Sequence, residues 1–186
     1  MDFKSFTKIP RLSRDMIVTE KIDGTNGIIA IGENGEFQVG SRNRWLTDEN
    51  GNIQSDNAGF AQWAVANRQS LMGLGVGLQY GEWWGAGIQR RYGLTEKRFS
   101  LFDVSRWSDD TVRPACCHVV PTLYIGAFDT AVIDRLVAAL AANGSVAAQG
   151  FMKPEGVIVF HEASGYLFKK TIEKDESPKG AWQKSS

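Results

Sequence analysis

The sequence contains few cysteine and histidine residues and has no excess of either charge. Its two cysteines, Cys116 and Cys117, are adjacent, so they lack the paired spacing of a zinc site and are poorly placed to link distant segments. The only histidines, His118 and His161, have no third ligand at metal spacing, which favours structural roles. The 21 basic and 21 acidic residues cancel, so any contact with a polyanion must be local.

Long apolar runs are also absent. No stretch of about 18 or more apolar residues occurs, and residues 1–16 lack the apolar core of a signal peptide. We therefore expect a soluble, cytoplasmic protein with no membrane contact.

At 186 residues and 42% hydrophobic content the chain can bury one sizeable core, which predicts a single domain over residues 1–186 with a polar tail from about residue 172.

Short extended segments, separated by glycine and acidic turns, make up much of the chain. They fall at residues 16–22, 27–41, 74–85, 98–105, 118–126, 156–161 and 165–171. Residues 32–35 predict a hairpin loop between the apolar stretches 28–31 and 37–39. This pattern indicates a mostly antiparallel sheet system.

Two stretches carry apolar residues at helical spacing. The clearer one runs from Phe128 to Asn143 and ends at Gly144, and the other runs from about Asp56 to Met72. The candidate caps are Asp129 or Thr130 for the first helix and Asn57 or Ser55 for the second. Strands interleaved unevenly with two helices predict an α+β domain rather than alternating βαβ units.

The sharpest local signal is the segment EKIDGTNG at residues 20–27, where Lys21 ends an apolar strand segment and a polar turn follows. An amine attacks phosphorus only after losing its proton, so such a lysine needs partial burial, nearby cations or a bound metal. Taken alone, the segment is more typical of an exposed lysine beside a β-turn.

Lys21 to Gly24 resembles the Lys-x-Asp-Gly signature of the covalent nucleotidyltransferase superfamily, which comprises DNA ligases, RNA ligases and mRNA capping enzymes. The fuller string EKIDGTN is most similar to the nick-joining RNA ligase branch. The resemblance implies that Lys21 attacks the α-phosphorus of ATP, releases pyrophosphate and holds AMP through a phosphoramide bond. It also implies nucleotide-binding positions at Glu20, Ile22, Asp23, Gly24 and Asn26.

Later segments resemble further motifs of the same family, in the family's order. GSRNR at residues 40–44 implies a catalytic and nucleotide-binding role for Arg42, whose fork of donors suits phosphate oxygens. YGEWWG at residues 80–85 implies that Glu82 accepts hydrogen bonds from the ribose hydroxyls. SLFDV at residues 100–104 implies that the ring of Phe102 stacks on the purine.

The last two motifs concern the phosphates. KPEGVIVF at residues 153–160 implies that Glu155 faces the phosphates and is a candidate ligand for Mg²⁺ or Mn²⁺. YLFKKT at residues 166–171 implies catalytic lysines at the α-phosphate, Lys169 and Lys170. The family usually has Lys-x-Lys, whereas neighbours in a strand point to opposite faces. Lys169, which follows the apolar run most directly, is therefore the first choice, and the second phosphate contact stays open.

The resemblance implies an α+β nucleotidyltransferase domain, ATP-grasp-like as in DNA/RNA ligase adenylation, with antiparallel sheets around an ATP cleft. The implied protein is an ATP-dependent RNA ligase core. AMP passes from Lys21 to a 5′-phosphate on RNA or a nicked duplex, and a 3′-hydroxyl then displaces AMP and seals the strand. ATP and Mg²⁺ or Mn²⁺ are the implied cofactors.

Only about fifteen polar residues follow the last motif, so no C-terminal OB-fold domain is expected. Strand sealing then calls for a separate strand-gripping subunit or an unusually minimal enzyme, and the compactness of the match is phage-like. Three alternatives stay open. They are a DNA ligase-like adenylyltransferase, a GTP-dependent capping-type guanylyltransferase and a non-catalytic module that binds nucleotide or nucleic acid.

Overall fold

Two β-sheets and the helices that cover them form the fold. The computed structural model describes residues 2–173 and residue 175, so the polar tail lies almost wholly outside the described part. Within that part the strands are β1 (Asp15–Lys21), β2 (Thr25–Ile31), β3 (Phe37–Ser41), β4 (Gly77–Gly85), β5 (Lys97–Leu101), β6 (His118–Val119), β7 (Thr122–Ala127), β8 (Gly156–His161) and β9 (Tyr166–Thr171). The helices are α1 (Phe60–Ala66), α2 (Arg68–Leu71), α3 (Val104–Trp107) and α4 (Thr130–Asn143), with a 3-10 turn at Met72–Leu74.

The first sheet has the strand order β7-β1-β8-β9 and is antiparallel throughout. One face packs against α4. The buried residues of this contact are Met16, Val18, Ile133, Leu140, Val157 and Val159. Because side chains alternate along a strand, Ile17, Thr19 and Lys21 of β1 point to the opposite face.

Helix α4 confirms the clearer of the two helical predictions. The carboxylate of Asp129 caps its start by accepting a hydrogen bond from the backbone N–H of Ala131 at 2.8 Å. At the other end, Gly144 takes a left-handed φ of 86°, which a residue with a side chain adopts only with strain.

The second sheet has the strand order β3-β2-β4-β5-β6 and is antiparallel except for the pairing of β5 with β6. The predicted hairpin loop at residues 32–35 joins β2 to β3. One face of this sheet carries the largest core cluster, to which α1 contributes Phe60, Ala61 and Ala64. The opposite face turns towards the first sheet.

The second helical prediction is correct in place but wrong in its start and continuity. The helix begins at Phe60, after Gly59 takes a left-handed φ of 83°, and α2 follows as a separate turn. Asn67 interrupts the stretch, and its side chain donates to the Trp63 carbonyl at 2.8 Å. The expected caps at Asn57 and Ser55 are also wrong, since no side chain caps α1 and Asp56 accepts the N–H of Ala61 instead.

A third cluster of buried residues lies between the two sheets. Its members are Ile22, Trp84, Tyr92, Val104, Val120 and Ala148. Part of it comes from α3, whose first two residues belong to the segment predicted as extended. Asp103 caps this short helix by accepting a hydrogen bond from Arg106 N. The predicted α+β architecture with antiparallel sheets is confirmed. In the described residues no helix is long and apolar enough to span a bilayer.

Candidate active site

A lysine and a carboxylate meet at the ends of two neighbouring strands of the first sheet. Lys21 is the last residue of β1, and Glu155 directly precedes β8, whose Gly156 is the register partner of Lys21. The Lys21 ammonium donates to Glu155 Oε2 at 2.6 Å, and the two side chains are 22% and 11% exposed. Strand pairing therefore unites two residues that are far apart in sequence, and it leaves the amine partly open to solvent.

Glu82 faces this pair from the second sheet, where it is the register partner of Asn26. Its Oε1 accepts the Gly24 amide at 2.9 Å, and its Oε2 accepts Asn26 Nδ2 at 3.1 Å. Burial raises the pKa of Glu82 to about 7, against the opposing effects of the Gly24 hydrogen bond and the Lys21 charge. Each carboxylate oxygen retains a further lone pair for a ligand hydroxyl.

Arg42 reaches the same cluster from the end of β3. Its Nε donates to Asn26 Oδ1 at 2.8 Å, so Asn26 bridges Arg42 and Glu82. The Arg42 side chain also borders a polar cavity of about 350 Å³. The cavity is lined by Thr25, Ser41, Arg42, Asn43, Arg44 and Asn57.

The turn after Lys21 needs glycine at position 24 because the backbone lies against β4. A Cβ on Gly24 would come within 2.4 Å of the Trp83 carbonyl oxygen and 2.8 Å of Trp84 Cβ. The close approach is also what lets the Gly24 amide reach Glu82. Gly24 thus sets the distance between the lysine turn and the second sheet.

Phe102 presents an open aromatic face beside Glu82. Its backbone N–H bonds to the Tyr80 carbonyl at 3.0 Å, which continues the pairing of β5 with β4 and places its side chain on the Glu82 face. It is 40% exposed and belongs to none of the core clusters. A ring that stays exposed beside a carboxylate is available to stack on a ligand.

The two lysines of β9 point in opposite directions. Lys169 pairs in register with Ile158 and lies on the Lys21 face of the first sheet. Lys170 lies on the α4 face, where its ammonium binds the carboxylate of Asp134. Lys169 therefore lies on the sheet face that carries Lys21, and Lys170 lies on the opposite face, because side chains alternate along the strand.

Two of the other positions implied by the motif resemblance are turned away from the cleft. The side chain of Glu20 is buried, and its carboxylate accepts hydrogen bonds from Ser145 Oγ at 2.6 Å, Val146 N at 2.8 Å and Ala147 N at 2.9 Å. Ile22 is buried in the cluster between the sheets, so its side chain cannot contact a nucleotide. Glu20 and Ile22 hold the strand end in place structurally.

Arg90 and Tyr92 contact the lysine turn, and the sequence did not predict either residue as part of the site. Asp23 accepts a hydrogen bond from Arg90 Nε at 2.9 Å, and its backbone N–H donates to the Tyr92 hydroxyl at 2.7 Å. Both come from the loop between β4 and β5. Their only sequence signal is an arginine and a tyrosine in a glycine-rich loop, which no periodic pattern identifies.

The cleft contains carboxylate oxygens, which are the kind of ligand that hard divalent cations prefer. In the described part of the chain no group of three or more His, Cys, Asp or Glu side chains could hold a metal. A single carboxylate such as Glu155 suits Mg²⁺ or Mn²⁺, which keep several water and phosphate ligands. His161 is structural, since its Nε2 donates to the Leu12 carbonyl at 2.8 Å, whereas His118 is exposed.

Two antiparallel sheets facing a cleft, with a lysine at a strand end between carboxylates, define a nucleotidyltransferase domain. Among protein families, the RNA ligase family matches residues 14–174. The chain therefore belongs to the RNA ligase family. Comparison with curated proteins gives no match.

Solved structures of a Naegleria gruberi RNA ligase share the fold. A variant solved with ATP and Mn is 21% identical, with a TM-score of 0.62 over 88% of this chain and 52% of that one. An apo variant is 21% identical, with a TM-score of 0.63 over 89% and 52%. A variant solved with AMP and Mn is 22% identical, with a TM-score of 0.61 over 86% and 50%. The chain thus spans about half the length of these structures.

Proposed function

We propose that the chain is the core of an ATP-dependent RNA ligase in which Lys21 carries AMP as a covalent adduct. The observation that carries the proposal is the contact of Lys21 Nζ with Glu155 Oε2 at 2.6 Å, in a cleft that also contains Glu82 and an exposed Phe102. The Lys21 charge also acts on the Glu82 carboxylate, so two carboxylates of the cleft interact with the amine. Membership of the RNA ligase family supports the same reaction.

In the first step the uncharged amine of Lys21 attacks the α-phosphorus of ATP. A P–N bond forms, the bond from the α-phosphorus to the bridging oxygen breaks, and pyrophosphate leaves with that electron pair. The Glu155 carboxylate, already in hydrogen-bond contact with the amine, is placed to orient it and to receive its proton. Holding the amine in line with the leaving group supplies much of the acceleration.

The other cleft residues bind the nucleotide. Glu82 accepts the ribose hydroxyls with its free lone pairs, and Phe102 stacks on the purine. Arg42 and Lys169 supply positive charge to the phosphate oxygens, where negative charge grows in the transition state. Glu155 would hold a Mg²⁺ or Mn²⁺ ion. Such an ion, when bound, would neutralise part of the phosphate charge.

Two further steps would complete the ligation. The 5′-phosphate of an RNA or nicked duplex attacks the adduct and takes AMP, and Lys21 is released as the amine. A 3′-hydroxyl then attacks that phosphate, forms the phosphodiester and displaces AMP. A separate strand-gripping subunit would raise the affinity for the strand, since the net charge of the chain is zero.

Intact mass measurement after incubation with ATP and a divalent cation tests the first step. We expect an AMP adduct on the wild-type chain and none on Lys21→Ala, with circular dichroism showing that the variant is folded. An adduct that survives in Lys21→Ala would identify another nucleophile. A chain that binds ATP but forms no adduct would be the non-catalytic module.

Nucleotide and strand specificity separate the remaining alternatives. Incubation with GTP in place of ATP should give no adduct, and a GMP adduct without an AMP adduct would identify a capping-type guanylyltransferase. Chains loaded with labelled AMP are then offered nicked RNA, DNA and hybrid duplexes. We expect transfer to and sealing of an RNA 5′-phosphate, whereas exclusive use of DNA would identify a DNA ligase-like enzyme.

A further inference from the structure

The loop between β4 and β5, residues 86–96, contains an unusual run of strained backbone. Gln89, Arg91 and Tyr92 take left-handed φ values of 42°, 60° and 52°. Each non-glycine residue in this conformation costs on the order of 1 kcal/mol or more and persists only where its surroundings hold it. The loop is therefore fixed in a shape that is costly by itself.

Contacts inside the loop and with the core hold that shape. The Arg91 amide donates to the Ile88 carbonyl at 2.8 Å, and the Tyr92 amide donates to the Arg90 carbonyl at 2.8 Å. The ring of Tyr92 is buried between Trp84 and Phe151, with ring centroids 4.9 and 4.5 Å away. This packing leaves the Tyr92 hydroxyl at a fixed point beneath the lysine turn.

Two side chains of the loop attach it to both halves of the Lys21–Glu155 pair. The Tyr92 hydroxyl accepts the Asp23 amide, and Arg90 Nε donates to Asp23 Oδ2 at 2.9 Å, two residues after Lys21. Arg90 Nη1 donates to the Lys153 carbonyl at 3.0 Å, two residues before Glu155. One guanidinium thus bridges the chain segment of the lysine and that of its carboxylate.

We infer that Arg90 and Tyr92 are positioning residues that fix the separation of Lys21 and Glu155. Neither side chain bonds to the amine. Arg90 acts through the Asp23 carboxylate and the Lys153 carbonyl, and Tyr92 acts through the Asp23 amide. The catalytic value of a fixed Lys21–Glu155 separation rests on the proposed function, because attack by Lys21 requires an amine that is held in line with the phosphate. A misplacement of about 1 Å at a reacting group can cost on the order of 100-fold in rate.

Hydrogen exchange and single-turnover kinetics test this role together. In Arg90→Gln we expect faster exchange in both peptides 19–25 and 151–157. At saturating ATP the rate constant for adduct formation should fall about 10- to 100-fold, with ATP affinity within about threefold of wild type. Tyr92→Phe, which keeps the ring, should speed exchange only in peptide 19–25 and give a smaller loss of rate. Arg90→Lys should restore part of the rate.

Arg91→Gln is the matched control, because Arg91 is exposed in the same loop and its side chain bonds to neither Asp23 nor Lys153, while its backbone contacts stay the same in the variant. It should leave the exchange of both peptides and the rate unchanged. Unchanged exchange in Arg90→Gln and Tyr92→Phe, equal effects in Arg91→Gln, or faster exchange with a wild-type rate would each overturn the inference. If the wild-type chain forms no adduct, only the proposed function fails. The exchange data would still show whether Arg90 and Tyr92 hold the segments of Lys21 and Glu155 in place.

Discussion

Glu20 and Lys21 are adjacent in sequence but have opposite environments. Glu20 is 1% exposed and serves as the acceptor for three donors after α4, while Lys21 points into the cleft. A buried carboxylate is tolerated only when its oxygens are paired in this way. Glu20 therefore joins β1, the strand that carries Lys21, to the segment at residues 145–147 through hydrogen bonds.

Glu20→Ala should destabilise the fold strongly, because the Ser145 hydroxyl and two backbone N–H groups lose their acceptor. We expect a loss of about 3 kcal/mol in the free energy of unfolding, measured in urea. Ser145→Ala, which removes one donor to Glu20 and the acceptor of the Ala148 N–H, should cost less, about 2 kcal/mol. Equal losses in the two variants would contradict a central role for the carboxylate.

The raised pKa of Glu82 predicts a pH-dependent stability. The folded chain holds this proton up to a pKa of about 7, against the usual 4.5, because burial disfavours the charged form. The stabilising contribution is complete below about pH 4.5 and is lost as the pH rises to about 7, up to roughly 3 kcal/mol. Glu82→Gln should flatten this slope in urea unfolding across the window. If the pH dependence of stability is the same in Glu82→Gln, another group causes it.

The cleft residues could be predicted from the sequence only where a short motif accompanies them. Lys21 and Glu155 are in contact and Glu82 faces them, whereas the role of each of these residues and of Phe102 stays a prediction. Arg90 could not be predicted, because its importance depends on contacts with Asp23 and Lys153 that only the folded chain creates.

At the scale of single elements, β9 separates two lysines that the sequence presents as neighbours. Lys169 shares the face of Lys21, while Lys170 is held by Asp134 of α4. Alternation along a strand is therefore enough to give two identical side chains different surroundings.

Lys169→Ala should slow adduct formation on the order of 100-fold, because it removes a positive charge from the cleft face. Lys170→Ala should leave the rate within about twofold, since an exposed ion pair contributes little. Single-turnover mass measurement at saturating ATP compares the two variants. A larger loss in Lys170→Ala would reverse the assignment of the faces.

Local signals predict elements well where the cap and the apolar spacing agree. Helix α4 has both, and the loop at residues 32–35 joins two strands as expected. The stretch from Asp56 to Met72 also has the spacing, but Asn67 competes for a helix carbonyl and splits it. Such competition depends on side-chain geometry, and the spacing of apolar residues gives no information about it.

At the scale of the whole molecule, the cleft lies between two sheets that share one small cluster of buried residues. A ligand that contacts Glu82 and Phe102 of one sheet and Lys21 of the other would add contacts across this boundary. Ligand binding should therefore stabilise the entire fold and not one sheet alone.

A non-hydrolysable ATP analogue at about 100 times its Kd should add about 2.7 kcal/mol to the stability. For a chain of this size that raises the Tm by about 5–10 °C, measured by calorimetry. Glu82→Ala should reduce the shift at the same analogue concentration, whereas Arg91→Gln should retain it. A full shift in Glu82→Ala would show that the ribose is bound elsewhere.

Strand β1 is paired on both sides, with β7 and β8, and its alternating faces serve the helix and the cleft. Insertion or deletion of one residue within it would exchange the two faces, burying the amine against α4 and exposing the Glu20 carboxylate in the cleft. The number of residues that precede Lys21 in the strand therefore decides which face of the sheet receives the amine.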